Sequence, residues 1–429
     1  MSLFLFGRYY MEQFLVDLYA VVNIGALIFF VKKYGLNMSP GFMVFAFYVL
    51  VAVLAIPAYS RLPKDSSFAM YNFRDITLFP YFVYFIAMMF LLKPTFKFHT
   101  TVENAKLAYS FRGLKWFSYI YVASAIVTVW LMYDAITSQS VIENLAQVRS
   151  EMYEDESIQV YRNNYEHLFV TFTMFFQVPA TLIFFLLLSD QRRKNLLFMI
   201  VFAIMIIAPT FLDAVRTASR GMVVSLFFRL LVCYGLFKTR LPKRVKRISL
   251  VVSIVLLVFF VSYSLLVTTA RFGEDSSGIN SLICYWGQPT LVFNSQVMSV
   301  EHFAYGKIFL KPVLESIGED PSLLLTSITK NIGPCFKTMI GTTYLDFGIV
   351  GVILLAILLP AGINGLIYKS RSIDISKLYI ILYYCVFLQE GALTIRYGFV
   401  VNVFYCIFFY FVLKLLKGTG TRKLNKLKV

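Results

Sequence analysis

Apolar runs about twenty residues long recur along this chain, near 13–31, 40–58, 76–92, 114–133, 168–188, 196–212, 221–237, 248–268, 343–368, 377–395 and 398–416. A helix rises ~1.5 Å per residue, so each run is long enough to cross the ~30 Å hydrocarbon core of a bilayer. The sequence therefore predicts an all-α fold: a polytopic transmembrane helix bundle of 11–12 spans, with residues 1–429 forming a single membrane domain. Composition agrees, because only 15% of the residues are charged, where a soluble domain carries roughly 25%. The 44 Phe and 28 Tyr suit lipid contact and the headgroup boundary. The N-terminus is apolar from its start and lacks a basic segment and a small-residue cleavage site, so it reads as the lead into the first span.

A net charge of +17 invites a nucleic-acid reading, but its placement opposes one. Nucleic-acid readers need a basic face on a water-exposed domain, whereas here the positive residues lie in short loops between spans. In membrane proteins such loops mark the cytoplasmic side. Lys93, Lys97, Lys106, Arg112 and Lys115 face Glu103 alone; residues 190–194 read Asp-Gln-Arg-Arg-Lys; 238–247 hold six basic residues and no acid. The tail adds Lys414, Lys417, Arg422, Lys423, Lys426 and Lys428. Counting spans puts all four on one side, so the C-terminus is expected in the cytoplasm. The opposite side receives 134–166, with seven acids against Arg149 and Arg162, the 213–220 turn, the long segment 269–340 and the turn near 390–397.

Metal and nucleotide chemistry find little support. There is no Asp-x-Asp, no Gly-x-x-x-x-Gly-Lys and no His-x-x-x-His, and the five cysteines have no metal-ligand spacing. No cofactor and no metal are expected. Cys284 and Cys335 fall in one outer loop and could pair, or stand as two thiols.

Arginines on the outer face remain. Asp213-Ala-Val-Arg216-Thr-Ala-Ser-Arg220-Gly221 joins two spans. Four residues apart on a helical turn, Arg216 and Arg220 would point the same way. Two planar guanidinium forks on one face suit phosphate or pyrophosphate, since each donates bidentate hydrogen bonds; the plainer role is to anchor a helix end by snorkelling. Arg271 follows the next outward span, and Arg396 tops the penultimate one, with Glu390 near the same end. Arg229 lies nine residues past Arg220, ~13 Å deeper, where a charge marks a lined cavity or a buried pair with Asp213 or another carboxylate. The segment 269–340 is too long for a simple turn. Within it, 290–303 and 321–332 read as amphipathic helices on the membrane surface, and it carries His302 and Glu315. An imidazole suits proton transfer near neutrality, although His302 also reads as a plain surface residue. Glu390 and Asp346, nearer the helix ends, are expected to orient arginines.

With these residues in view, the chain resembles the Wzy-type O-antigen polymerases, within the wider oligosaccharide repeat-unit polymerases. Ala218-Ser219-Arg220-Gly221-Met-Val-Val is similar to the family's Ser-Arg-Gly/Ser segment leading into a span. Gly341-Thr-Thr-Tyr344-Leu-Asp346-Phe347-Gly348-Ile-Val-Gly351 resembles the family's Phe-Gly-x-x-Gly at the start of the span after the large outer loop, and that loop lies late in the chain. The odd span count departs from the family's usual even number.

The resemblance implies a metal-independent membrane glycosyltransferase in the bacterial inner membrane, acting on undecaprenyl-pyrophosphate-linked oligosaccharide at the periplasmic face, with a chain-length regulator as a further partner. It casts Arg216, Arg220, Arg271 and Arg396 as pyrophosphate binders and His302 or Glu315 as the base, with Arg229, Glu390 and Asp213 lining a cavity. An O-antigen ligase has similar chemistry. A lipid-linked oligosaccharide flippase is the alternative from another class, but transporters usually show repeated halves and short outer loops.

Overall fold

The computed structural model describes residues 2–35, 39–61, 73–98, 109–138, 164–190, 195–217, 219–272, 278–319, 328, 332, 336–368, 374–394 and 398–416. These form thirteen α-helices: α1 Ser2–Tyr34, α2 Pro40–Arg61, α3 Leu78–Lys97, α4 Phe111–Ser138, α5 Asn164–Ser189, α6 Leu196–Arg216, α7 Arg220–Phe237, α8 Lys243–Phe272, α9 Gly278–Val292, α10 Lys307–Ser316, α11 Met339–Tyr368, α12 Ile375–Gly391 and α13 Phe399–Leu415. A π-helical turn, Phe293–Val297, continues α9. No β-strand occurs among the described residues. Among the described residues nine helices are long and apolar enough to cross a membrane: α1 to α8 and α11. The last two expected spans are α12 and α13, apolar helices of 17 residues each. The all-α, multi-pass architecture read from the sequence is the one observed.

Several helix starts are set locally. Ser39 Oγ accepts from Phe42 N–H at 3.2 Å, Ser110 Oγ from Gly113 N–H at 3.2 Å and Asn195 Oδ1 from Phe198 N–H at 3.2 Å. Each satisfies one of the donors that the first turn of a helix leaves open.

The chain divides into two compact units, one of residues 1–99, 276–369 and 387–404, the other of 100–275, 370–386 and 405–429. In the first, α2 packs against α1 and α9, and α3 against α11. Gly287 makes the α2–α9 contact possible, because a Cβ there would sit 2.2 Å from the Leu54 carbonyl oxygen. Tyr48 Oη donates to Leu388 O at 2.9 Å, and Thr338 N–H to Leu393 O at 2.8 Å. In the second unit α4 packs on α5 and α6, α7 on α5 and α6, and α8 on α7.

One end of this second unit gathers described residues that border the expected basic loops. Tyr109 Oη donates to Asp190 at 3.1 Å, and Ser110 N–H to Leu416 O at 3.0 Å. Arg240, whose pKa burial lowers, interacts with Tyr109, which acts to raise it. Tyr109, Ser110, Asp190, Arg240 and Leu416 therefore meet at one end. Antiparallel α6 and α7 put their connecting corner, residues 217–219, at the opposite end.

The long segment before α11 differs from expectation. Residues 290–303 do not lie on a membrane surface: Thr290, Leu291, Val292, Phe293, Asn294 and Val297 are all buried. Asn294 Oδ1 accepts from Thr77 N–H at 3.0 Å and its amide returns a bond to Thr77 O at 2.8 Å. Its amphipathic pattern comes from packing inside the first unit, where Phe293 meets Tyr84 of α3 and Tyr344 of α11, the apolar partners that lipid was expected to supply. The second stretch, 321–332, lies outside the described residues except Ile328 and Ile332, both buried. Cys284 is buried in α9, and Cys335 is outside the described residues.

Candidate functional site: a buried arginine corner

The corner between α6 and α7 is built on an apolar cluster. Met132, Val170, Met174, Ala214, Met222 and Val223 are buried together, with Phe211, Phe227 and Tyr263 packed against them. Tyr263 Oη on α8 donates to Ala214 O at 2.6 Å, which ties a third helix to the corner. Thr217 Oγ1 donates to Asp213 O at 2.7 Å, and Ser219 N–H to Ala214 O at 2.9 Å. Ser219 is extended, with φ −104 and ψ 119, so the α6 helix does not continue into α7.

That break corrects the expectation that Arg216 and Arg220 share a helical turn. Arg216 is the last residue of α6 and Arg220 the first of α7. Both are buried, at 4% and 2% exposure, so neither snorkels to the surface. The Arg216 Nε lies 3.1 Å from Asp213 Oδ1, and its Nη2 makes a second contact to the same oxygen. Asp213 has no exposed surface. Removing an ion from water costs several kcal/mol, and this pair offsets part of it by contact within one helical turn.

Arg229 stands ten residues into the 18-residue α7 and is buried. Its Nη2 donates to Gln177 Oε1 on α5 at 2.7 Å. Gln177 Nε2 donates to the Ile206 carbonyl and lies 2.8 Å from Thr210 Oγ1. Arg229 is thus buried in a polar space, with the Gln177 amide oxygen among its partners. Thr210 and Asp213, three apart on α6, link the two polar contacts along one helix face. The sequence signal for Gln177 is a lone amide in the apolar run 168–188.

The other expected site residues fall elsewhere. Arg271 is the penultimate residue of α8, with its side chain outside the described part, and Arg396 is outside the described residues altogether. His302 is exposed in the turn before α10. Glu315 is exposed on α10, 3.6 Å from Lys311 Nζ. Glu390 is half-buried near the end of α12, where its carbonyl accepts from Leu393 N–H at 2.9 Å. These last three belong to the first unit, and Asp213, Arg216, Arg220 and Arg229 to the second.

Asp346 does not orient an arginine. Fully buried on α11, it accepts from the backbone N–H groups of Gly306 (3.1 Å), Ile308 (3.0 Å) and Phe309 (2.9 Å). A carboxylate at a helix N-terminus satisfies open donors and meets the positive end of the helix dipole. Gly348 makes the fit possible. Its φ of +63 breaks α11 beside Asp346, and the Phe303 ring would come within 2.9 Å of any Cβ there. A second buried carboxylate in the first unit, Glu12, accepts from Tyr59 Oη at 2.6 Å, Arg8 Nε at 3.0 Å and Asp75 N–H at 3.0 Å.

Among the described residues no group of three His, Cys, Asp or Glu side chains converges so as to hold a metal ion. The arginine corner offers guanidinium donors in a water-poor setting, where charge-assisted hydrogen bonds to an anion gain strength. In comparisons with known proteins, no family model, no curated protein and no solved structure matches this chain.

Proposed function

We propose that the chain is a membrane glycosyltransferase that polymerises undecaprenyl-pyrophosphate-linked oligosaccharide units at the periplasmic face of the bacterial inner membrane, with its C-terminus in the cytoplasm. The observation that carries this reading is the burial of Arg216 and Arg220 on either side of the α6–α7 corner. The positive-inside bias disfavours arginine at the end of the bundle remote from the basic loops. Arginines kept there, and kept from water, fit the capture of an anionic group.

In this reading a hydroxyl oxygen of the incoming lipid-linked unit attacks the anomeric carbon of the growing chain. The bond from that carbon to pyrophosphate breaks, and the lipid pyrophosphate leaves with the bonding pair. Arg216 and Arg220 stabilise the charge that develops on the leaving group, the task of a preorganised oxyanion site. Arg271 and Arg396 extend this role from the sequence resemblance, and a chain-length regulator is the expected protein partner. The proton of the attacking hydroxyl passes to His302 or Glu315.

The test is Arg220→Lys, which keeps the charge and loses the planar fork. Loss of a preorganised donor costs on the order of 10²–10³ in rate, so surface polymer should shorten to single units at unchanged protein level. Normal long polymer from Arg220→Lys would remove the phosphate role from the corner.

A further inference from the structure

The helix α10 is too short to span a membrane, yet it is anchored beside a spanning helix and presents three chemically different faces. Its first turn is held by Asp346 of α11, and Ala304 and Tyr305 N–H donate to Leu345 O and Asp346 O at 2.8 Å each. Phe309 packs on Phe347 with ring centroids 5.8 Å apart and stacks on Phe399 at 4.7 Å. Pro312, three residues on, packs toward Gly398. That is the protein-facing side.

At ~100° per residue the remaining positions separate cleanly. Leu310, Val313 and Ile317 follow at intervals of three and four and form one stripe, exposed at 45%, 41% and 67%. Lys307, Lys311 and Glu315 follow at intervals of four and form another, also open to the surroundings. An exposed Tyr305 (78%) precedes the helix. The docking partner Phe347 is followed on α11 by Ile349, Val350, Ile353 and Leu354, exposed apolar residues of a spanning helix. α10 is therefore docked at the start of the exposed apolar stretch of that spanning helix.

We propose that α10 is an interfacial helix that grips anionic phospholipid: its Leu310–Val313–Ile317 stripe enters the acyl boundary while Lys307 and Lys311 bind headgroup phosphate. An apolar stripe flanked by lysines is the pattern of helices that lie in the interface plane, and long basic side chains reach headgroups from that position. A lysine near an anionic surface contributes enough to change lipid partitioning about fivefold. The exposed tyrosine fits the same boundary. None of this depends on the transferase reading.

The experiment uses the full chain reconstituted in vesicles, with bimane attached in turn at Leu310→Cys, Val313→Cys, Ile317→Cys and Lys307→Cys. None of the four positions faces the packed side of α10. Brominated acyl chains should quench the first three strongly and the fourth weakly, with aqueous iodide giving the reverse order. At position 310, brominated phosphatidylglycerol should quench better than brominated phosphatidylcholine. That preference should fall about fivefold with Lys307→Gln and again with Lys311→Gln. Iodide quenching at 310, 313 and 317 equal to that at 307 would overturn the proposal, and so would shielding of these positions from both quenchers, the mark of a protein partner. A phosphatidylglycerol preference that survives both lysine substitutions would overturn the headgroup assignment.

Discussion

The α6–α7 corner and the Asp346 clamp both bury ionised groups in an apolar bundle, but they satisfy those groups from different distances along the chain. Asp213 and Arg216 are three residues apart, and the next charge, Arg220, is four further on. Asp346 finds its partners at Gly306, Ile308 and Phe309, 37 to 40 residues upstream, and those partners are backbone rather than side chain. The corner gathers buried arginines around one carboxylate within a short stretch of chain, the arrangement that the proposed anion site uses. The clamp is one anion compensated by three donors, which suits a fixed joint. Buried charge in this molecule thus occurs in two arrangements, one proposed for binding and one that holds a short helix in place.

The largest effect separates them. Asp346→Ala removes the acceptor from three N–H groups at the start of α10, a change expected to cost about 2–4 kcal/mol. It should lower the denaturation temperature in detergent micelles, and Asp346→Asn, which keeps an acceptor oxygen, should restore much of the loss. An Asp346→Ala protein that melts with the parent would break the comparison, because the carboxylate would then not be holding the helix.

The next effect sharpens the other side. Arg229 loses a charge-assisted bond to Gln177 in Arg229→Met, at a cost of roughly 1.5–3 kcal/mol. Because a lone buried polar group is worse than none, Arg229→Met combined with Gln177→Leu should be milder than the sum of the single changes. Additive losses in thermal denaturation would show that the two side chains do not act as a unit.

Much of this was open to reading from sequence because its causes are local. Span length, basic loops and arginines beside Asp213 all lie within short windows, and nine long helices and one loop-bearing end of the second unit follow from them. What sequence hid is pairing across distance. The pattern of 290–303 is the same whether lipid or neighbouring helices such as α3 and α11 cover its apolar side, and only the fold decides. Asp346 looked like a partner for arginine because its true partners carry no side-chain signature. Arg216 and Arg220 looked like one helical face because nothing in Thr217-Ala-Ser219 compels a break; the extended Ser219 and the Tyr263 bond to Ala214 do.

The smallest stability effects concern the two residues expected to act as a base, and their smallness makes them informative. His302 and Glu315 are both exposed, and substitutions at such positions usually move stability by no more than ~0.5 kcal/mol. The Glu315–Lys311 pair, 3.6 Å apart at the surface, is of a kind worth ~0–1 kcal/mol. His302→Ala and Glu315→Ala should therefore denature with the parent protein, so any loss of polymer from either reports chemistry rather than folding. A base must come within about 3 Å of the acceptor hydroxyl when substrate binds. The expected outcome is a shortened polymer ladder from His302→Ala and a near-normal one from Glu315→Ala, each at matched protein level. The reverse result would move the base onto α10, the helix that Asp346 holds, and tie the clamp to catalysis. Full ladders from both would leave the pyrophosphate to depart without a base, with the arginine corner carrying the reaction alone.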